Sequence, residues 1–374
     1  NFVSMSLTNA SQIICRFSDD SPYDCDPEEA ESYLKYNAPL LPQTHMTDNY
    51  SSKRSRGPES APKILPFTTV KATKDAIIRE GEGNIRVKLC PGDVCYHNPF
   101  NLIPSNGKQR LVALGEYGLS VIKGRITMLG ATLSPDHTTH NICALSSHSL
   151  PVIRYLESTT DEVVIRLSQL STGLRDLKKL SPLFSKLWNE SATRLAGEAE
   201  RTERSSFQIL FTNIDGPKKM YLQHVYSPPE WNEAFASAAN GKWNISKTST
   251  TMVCGPKSSG KSTFTKLLVN RLLTDHNAPK GKNAGPGRPK RPVGVLLLDI
   301  DPGQPEYSSP GQLSLLHITK PNFGPPFAHP SPESGECEVL WSHSVCAITP
   351  SQDPEHYMAC ILDLLNHVKQ HMSS

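Results

Sequence analysis

A chain of 374 residues is long enough for two hydrophobic cores of ordinary size. With 39 basic and 36 acidic residues its net charge is +3, so overall charge gives no argument for a nucleic-acid partner and only local clustering can. Hydrophobic content of 37% lies below the globular average, which predicts some disorder. There is no apolar run of membrane-spanning length and no charged-then-apolar leader, so the expectation is a soluble intracellular protein.

Residues 1–62 lack sustained periodicity and are rich in Ser, Asp, Asn and Pro, so they read as a disordered tail. The tail carries an acidic patch from Asp24 to Glu31 and a short basic one from Lys53 to Arg56. Residues 63–170 are β-rich. Leu111–Leu114 reads as a strand, Gly115-Glu116-Tyr117-Gly118 as a turn, and Leu119–Ile122 as the returning strand. Lys123-Gly124 then turns into Arg125–Leu129, and Val163–Leu167 is a further strand. Short strands with Gly turns at this spacing predict a sandwich-like or barrel-like domain.

Residues 171–245 read as a helical connection. Leu174, Leu177, Leu180 and Leu183 fall three apart, interrupted by Pro182. Ser227-Pro228-Pro229-Glu230 has the form of a capping box and predicts a helix through about Ala239, with Trp231 and Phe235 packed inward. From 246 to 374 the pattern becomes α/β. A basic insertion at 280–291 contains Lys280, Lys282, Arg288, Lys290 and Arg291. It reads as a surface loop, either inert or in contact with nucleic-acid phosphates or import factors. Residue 1 is Asn and the chain stops at Ser374 just after an amphipathic stretch, so a fragment at both ends is expected.

Nine cysteines, an odd number without a leader, read as free thiols. Cys90 and Cys95 with His97 make at most half a zinc site, and no second pair follows. His137, His140 and His148 read as loop and strand residues.

Residues 255–262 are Gly-Pro-Lys-Ser-Ser-Gly-Lys-Ser, the spacing of a phosphate-binding P-loop. Thr250–Val253 before it is β-branched and apolar. After it, Phe264, Leu267, Leu268 and Leu272 recur at helical spacing. Strand, Gly-rich loop and helix is the order in which a helix N-terminus holds phosphate. The candidate ATP-binding set is Gly255, Pro256, Lys257, Ser258, Ser259, Gly260, Lys261, Ser262 and Thr263. Lys261 is expected at the β- and γ-phosphates, and Ser262 on Mg²⁺.

Val293–Ile300 is a nearly continuous apolar run, as in a buried parallel strand. It leads into Asp299-Ile300-Asp301-Pro302-Gly303-Gln304. Two carboxylates at the end of such a strand have two tasks beside a P-loop, one in the Mg²⁺ shell and one accepting a proton from an attacking hydroxyl. A turn or cap at the strand end is the plainer alternative. The D-x-x-G and N-K-x-D signatures of a GTPase do not occur after this strand.

The P-loop through Phe264, Leu298–Tyr307 and Ser309–Ser314 together resemble the polynucleotide 5′-hydroxyl kinases of ribosomal RNA processing, the fungal GRC-three and animal NOL-nine type. These are related to the kinase of the messenger RNA cleavage factor. Gly115–Ala131 resembles the β-rich domain that precedes the kinase domain there, so the resemblance spans residues 63–374. It implies an α/β P-loop NTPase fold preceded by a sandwich-like β domain, with a truncated kinase domain at 246–374. It also implies transfer of the γ-phosphate of ATP to the 5′-hydroxyl of RNA or DNA, with Mg²⁺ as cofactor. Lys261 and Asp301 would be catalytic, with Asp301 as base, and Ser262 and Asp299 would hold the metal. That family works in the nucleolus, in ribosome biogenesis, bound to an endonuclease that cuts the second internal transcribed spacer.

The family's Thr-x-Gly-Trp clasp and its paired-arginine lid have no counterpart between Asp301 and Ser374. The chain as written is therefore expected to bind ATP weakly and transfer phosphate poorly or not at all. Two other readings stand beside the kinase. One is a catalytically silent ATP-binding scaffold for a pre-rRNA endonuclease. The other is an ATPase coupling hydrolysis to motion, which would need a water-positioning residue, a role for which Gln304 could be mistaken.

Overall fold

The computed structural model describes residues 4–7, 12–17, 64–70, 75–80, 84–90, 109–156, 162–182, 184, 187, 205–217, 221–239, 248–256, 258–274, 294–328 and 337–373. In chain order its strands are β1 (Ser4–Leu7), β2 (Gln12–Phe17), β3 (Ile77–Arg79), β4 (Ile85–Leu89), β5 (Arg110–Lys123), β6 (Arg125–Met128), β7 (Ala131–Leu133), β8 (His140–Ala144), β9 (Ile153–Leu156), β10 (Val163–Gln169), β11 (Phe207–Leu210), β12 (Thr248–Val253), β13 (Val295–Ile300), β14 (Gln312–Ile318) and β15 (Cys337–Ser344). The helices are α1 (Leu177–Leu180), α2 (Pro229–Ala239), α3 (Lys261–Thr274) and α4 (Pro354–Ser373).

Nine strands form one antiparallel sheet, β3-β4-β10-β5-β9-β6-β7, with β8 and β11 also paired to β5. Strand β5 is the hub. Its start pairs with β9 and β11, and its later part with β8 and β10. The turn expected at Gly115–Gly118 does not exist, because the chain stays extended for 14 residues. Local glycine content suggested a reversal. Instead β11 pairs across Gly115, and the Glu116 N–H donates to the Ser206 carbonyl at 2.8 Å. Tyr117, Leu111, Leu114, Leu119 and Ile142 fill the core of this sheet.

The connection 171–245 is also less helical than expected. Helix α1 has only four residues, Leu180 is 77% exposed, and Leu183 lies outside the described residues. Strand β11 belongs to the β sheet, so the segment closes that core. Helix α2 ends at Ala239 as its sequence predicts. Ser227 does not cap it in the expected way, since its hydroxyl donates to Asn232 Oδ1 at 3.2 Å.

The second sheet has the order β1-β12-β2-β13-β14-β15. Strands β12, β2 and β13 run parallel, while β1, β14 and β15 pair antiparallel, so the sheet is mixed. Strands β1 and β2 lie within residues 1–62, so those two stretches are strands and not tail. Their hydrogen-bonding partners are remote in sequence, which is why local periodicity missed them. The basic insertion 280–291 lies outside the described residues.

All six residues of β13 are buried, as a strand covered on both faces requires. Val295 and Leu297 pack against Phe264, Leu267 and Leu268 of α3. Leu296, Leu298 and Ile300 pack against Tyr357, Ile361 and Leu364 of α4. The strand's period of two thus feeds two cores.

Helix α3 also meets the first sheet. Its Asn270 is fully buried and satisfied on both ends. Nδ2 donates to the Leu129 and Asn322 carbonyls at 2.9 and 2.8 Å, and Oδ1 accepts from Asn322 N–H at 2.8 Å. Thr274 Oγ1 accepts from Thr132 N–H at 2.8 Å, and Arg271 Nη1 donates to Thr132 Oγ1 at 3.0 Å. The helix behind the P-loop is therefore keyed to the β6–β7 hairpin.

Candidate functional site

Strand β12 ends at buried Val253, and the chain leaves it through exposed Cys254 into the P-loop. Ser258 has φ 62° and Gly260 φ 89°, left-handed positions that reverse the backbone within a few residues. A Cβ on Gly260 would sit 3.0 Å from the Trp231 ring of α2, a tight contact that adds to the conformational preference for glycine there. Trp231 in turn stands edge-on to Phe264 at 5.3 Å, and Phe235 lies 4.9 Å from the same ring. The two α2 aromatics pack inward, as expected.

Helix α3 begins at Lys261, with Phe264 N–H donating to the Gly260 carbonyl at 2.8 Å. The N–H groups of its first turn have no carbonyl four residues back within the helix, so this end attracts anions. The Lys261 ammonium bends back into the loop and donates to the Gly255 and Pro256 carbonyls at 2.7 and 2.9 Å. Lys257 lies outside the described residues.

Asp299 is the penultimate residue of β13 and is 1% exposed. Its Oδ1 accepts from Asp301 N–H at 3.3 Å and its Oδ2 from Glu306 N–H at 2.8 Å. Asp301 Oδ1 accepts from Gly303 and Gln304 N–H, both at 3.1 Å. Both carboxylates thus shape the turn. Ser262 and Asp299 line the same cavity of about 10 Å³, room for one water-sized occupant. Lys261, Asp301 and Thr263 are not among that cavity's lining residues.

Ser262 and Asp299 bring oxygen donors, but Lys266, Val269, Leu297 and Tyr307 line the same space, and its wall is almost wholly apolar. The hydroxyl and carboxylate are the donor types that Mg²⁺ takes, whereas the cavity itself is not shaped as a cation cage. The narrow loop ahead of an open helix N-terminus fits the phosphates of a nucleotide.

Four further residues of this site, Lys266, Glu306, Tyr307 and Asn322, carried no assignment from sequence. Lys266, one turn beyond Ser262, places Nζ 2.7 Å from Glu306 Oε1 and donates to the Gly324 carbonyl at 2.8 Å. Asn322 Nδ2 donates to Glu306 Oε1 at 3.1 Å. Tyr307 lines the same cavity, and burial, reinforced by the Glu306 carboxylate, holds its phenol far above the usual range. Glu306 and Tyr307 stand inside the Leu298–Tyr307 motif, so their presence was legible but their partners were not.

Residues 255–374 match the family model described as "mRNA cleavage and polyadenylation factor CLP1 P-loop". The chain is 40% identical over 273 residues to a Gibberella zeae protein named "Polynucleotide 5'-hydroxyl-kinase GRC3", covering 72% of this chain and 35% of that protein. It is 35% identical over 317 residues to the Aspergillus clavatus protein of the same name, covering 83% of this chain and 34% of that protein. The chain spans about a third of the length of these curated relatives. Among solved structures, a Clp1p–Pcf11p complex aligns with 76% of this chain and 50% of that chain, at 12% identity and TM-score 0.35. The sequence matches bear out the resemblance carried by the two motifs. The chain is similar to kinases of the GRC3 and Clp1 type, and residues 255–374 carry the P-loop NTPase fold.

Proposed function

We propose that this GRC3/Clp1-type chain belongs to an ATP-dependent polynucleotide 5′-hydroxyl kinase that phosphorylates RNA. The observation that carries the reading is the meeting of Ser262, at the start of the P-loop helix, with Asp299, at the end of β13, in one small cavity. The names of the relatives supply the acceptor.

In this reading the loop N–H groups and Lys261 bind the phosphates of ATP. Lys261 exchanges its two loop carbonyls for phosphate oxygens, which are stronger partners for an ammonium. Ser262 and Asp299 would hold Mg²⁺, which when bound would neutralise charge on the phosphate oxygens. Asp301 accepts the proton of the RNA 5′-hydroxyl as that oxygen bonds to the γ-phosphorus. The bond from the γ-phosphorus to its bridging oxygen breaks, and ADP leaves. Lys266 and Glu306 keep Asp299 in register with α3.

The same reading places the enzyme in ribosomal RNA processing, at the internal transcribed spacer, in the nucleolus and beside a pre-rRNA endonuclease. It is supported by the resemblance of the P-loop and Asp299–Gln304 motifs to that family. The test is to incubate the full-length protein with Mg²⁺, γ-labelled ATP and 5′-hydroxyl RNA, with and without the nuclease, using Lys261→Ala as control. Label on RNA that the substitution abolishes supports the kinase. Nucleotide binding without transfer under both conditions leaves a scaffold.

A further inference from the structure

A second cavity, of about 320 Å³, lies between the β6–β7 hairpin, strand β9, helix α2 and helix α3. It shares no lining residue with the small cavity at Ser262 and Asp299. The volume falls in the range of small-molecule sites. Its walls divide chemically. Phe235 and Leu267 give an apolar side, Arg154 and Arg271 bring two guanidinium groups, and Tyr226, 65% exposed, stands at the rim.

Arg154 is the informative residue. It sits on β9 directly across from Arg110, so two cations face each other in register. Arg110 spends one nitrogen on the Pro66 carbonyl at 2.7 Å. Among the described residues no carboxylate pairs with Arg154, and Arg154 is one of the residues lining the cavity. Burial first, and Arg110 second, depress its pKa. An anion in the cavity would relieve both effects. Arg271, held at 3.0 Å to Thr132 Oγ1, brings a second guanidinium from α3.

A phosphate beside guanidinium groups, with an apolar wall and an exposed aromatic ring nearby, is the recognition chemistry of one nucleotide unit. Arg271 lies nine residues beyond Ser262 on α3, or about 14 Å along the axis. We propose that this cavity binds an internal nucleotide of the RNA strand, with its phosphate on Arg154 and Arg271 and its base against Tyr226. The proposal rests on the kinase reading and adds a contact away from the reacting end.

The experiment measures binding of a short 3′-fluorescein RNA to the full-length protein by anisotropy across a salt series, with a non-hydrolysable ATP analogue present. Affinity for a fluorescent ATP analogue is measured separately. Arg154→Met is expected to weaken RNA binding about tenfold and lower the salt slope by about one, with nucleotide affinity unchanged. Tyr226→Ala, at an exposed position that does not threaten folding, is expected to weaken it several-fold with the slope unchanged. Wild-type RNA affinity in both variants would overturn the proposal. So would displacement of the RNA by uridine monophosphate at equal concentration, which would make a free nucleotide the occupant. Absence of label transfer in a wild-type protein that still binds RNA through Arg154 would sink the kinase reading alone.

Discussion

Lys266 on the P-loop helix and Glu306 in the loop after β13 form a largely buried ion pair at 2.7 Å, with side-chain exposures of 16% and 11%. Glu306 also gives its backbone N–H to Asp299. One residue therefore ties the acidic end of β13 to the helix that carries Ser262.

Breaking this pair from one side strands a buried charge. Lys266→Met should cost about 3–5 kcal/mol in urea unfolding, and Lys266→Met with Glu306→Leu should recover much of it. A loss below about 1 kcal/mol in the single variant would mean that solvent reaches Glu306 freely.

Asn270→Leu removes two donors and one acceptor from a residue with no solvent exposure. The Leu129 and Asn322 carbonyls and the Asn322 N–H lose their partner, and the cost should be about 2–4 kcal/mol. Asn270→Asp retains the acceptor only, so it should also destabilise. The measurement is the midpoint of thermal or urea unfolding. An unchanged midpoint in both variants would show that the hairpin does not depend on α3.

Two glycines with nearly equal φ separate strain from collision. Gly130 has φ 82°, and a Cβ there would run into the Leu267 carbonyl of α3. Gly173 has φ 80° and open space around it. Gly173→Ala should cost about 1 kcal/mol from backbone strain alone. Gly130→Ala should cost clearly more, because the hairpin must lift off the helix. Equal losses in denaturant melts would contradict the packing described for α3.

Cys143 is half-buried, and burial, helped by the Glu116 carboxylate beside it, pushes its thiol up to about 12. Only the thiolate alkylates, so its reactivity should stay low at neutral pH and rise only in strong alkali. Exposed Cys90, Cys254 and Cys346 should react well before Cys143 with iodoacetamide at neutral pH, read by peptide mass mapping. Labelling of Cys143 at a comparable rate would contradict its burial.

The parts of this molecule that were legible in sequence are the ones whose chemistry is local. The P-loop turn, the helix after it and the apolar run of β13 each follow from residues within one short window. Helix α2 was read to its last residue because prolines set its start and its aromatics mark one face. What stayed hidden depends on distant partners. Gly115 looks like a turn until β11, some ninety residues later, pairs across it. Strands β1 and β2 sit in a polar segment and acquire their identity from β12 and β13. Glu306 was in view, but its link to Lys266 crosses forty residues. Asp301 was read as a base or a turn residue. The structure gives it the turn contacts to Gly303 and Gln304, and the proton-accepting role rests on the proposed function.

Asp301→Asn separates those two roles. The asparagine oxygen can still accept from Gly303 and Gln304, so fold and nucleotide affinity should persist. Phosphate transfer should fall by roughly 10²–10⁴ if the carboxylate is the base. Transfer within about threefold of wild type, measured at saturating substrates, would remove Asp301 from the chemistry.

The most direct measurement compares two acceptors with the full-length protein, Mg²⁺ and γ-labelled ATP. One is an RNA oligonucleotide ending in a 5′-hydroxyl, and the other is the same RNA already carrying a 5′-phosphate. The kinase account predicts label on the first, none on the second, and loss of the signal in Lys261→Ala. Phosphate release at the same rate with either RNA, and no label on the 5′-hydroxyl strand, would contradict it and leave an ATPase.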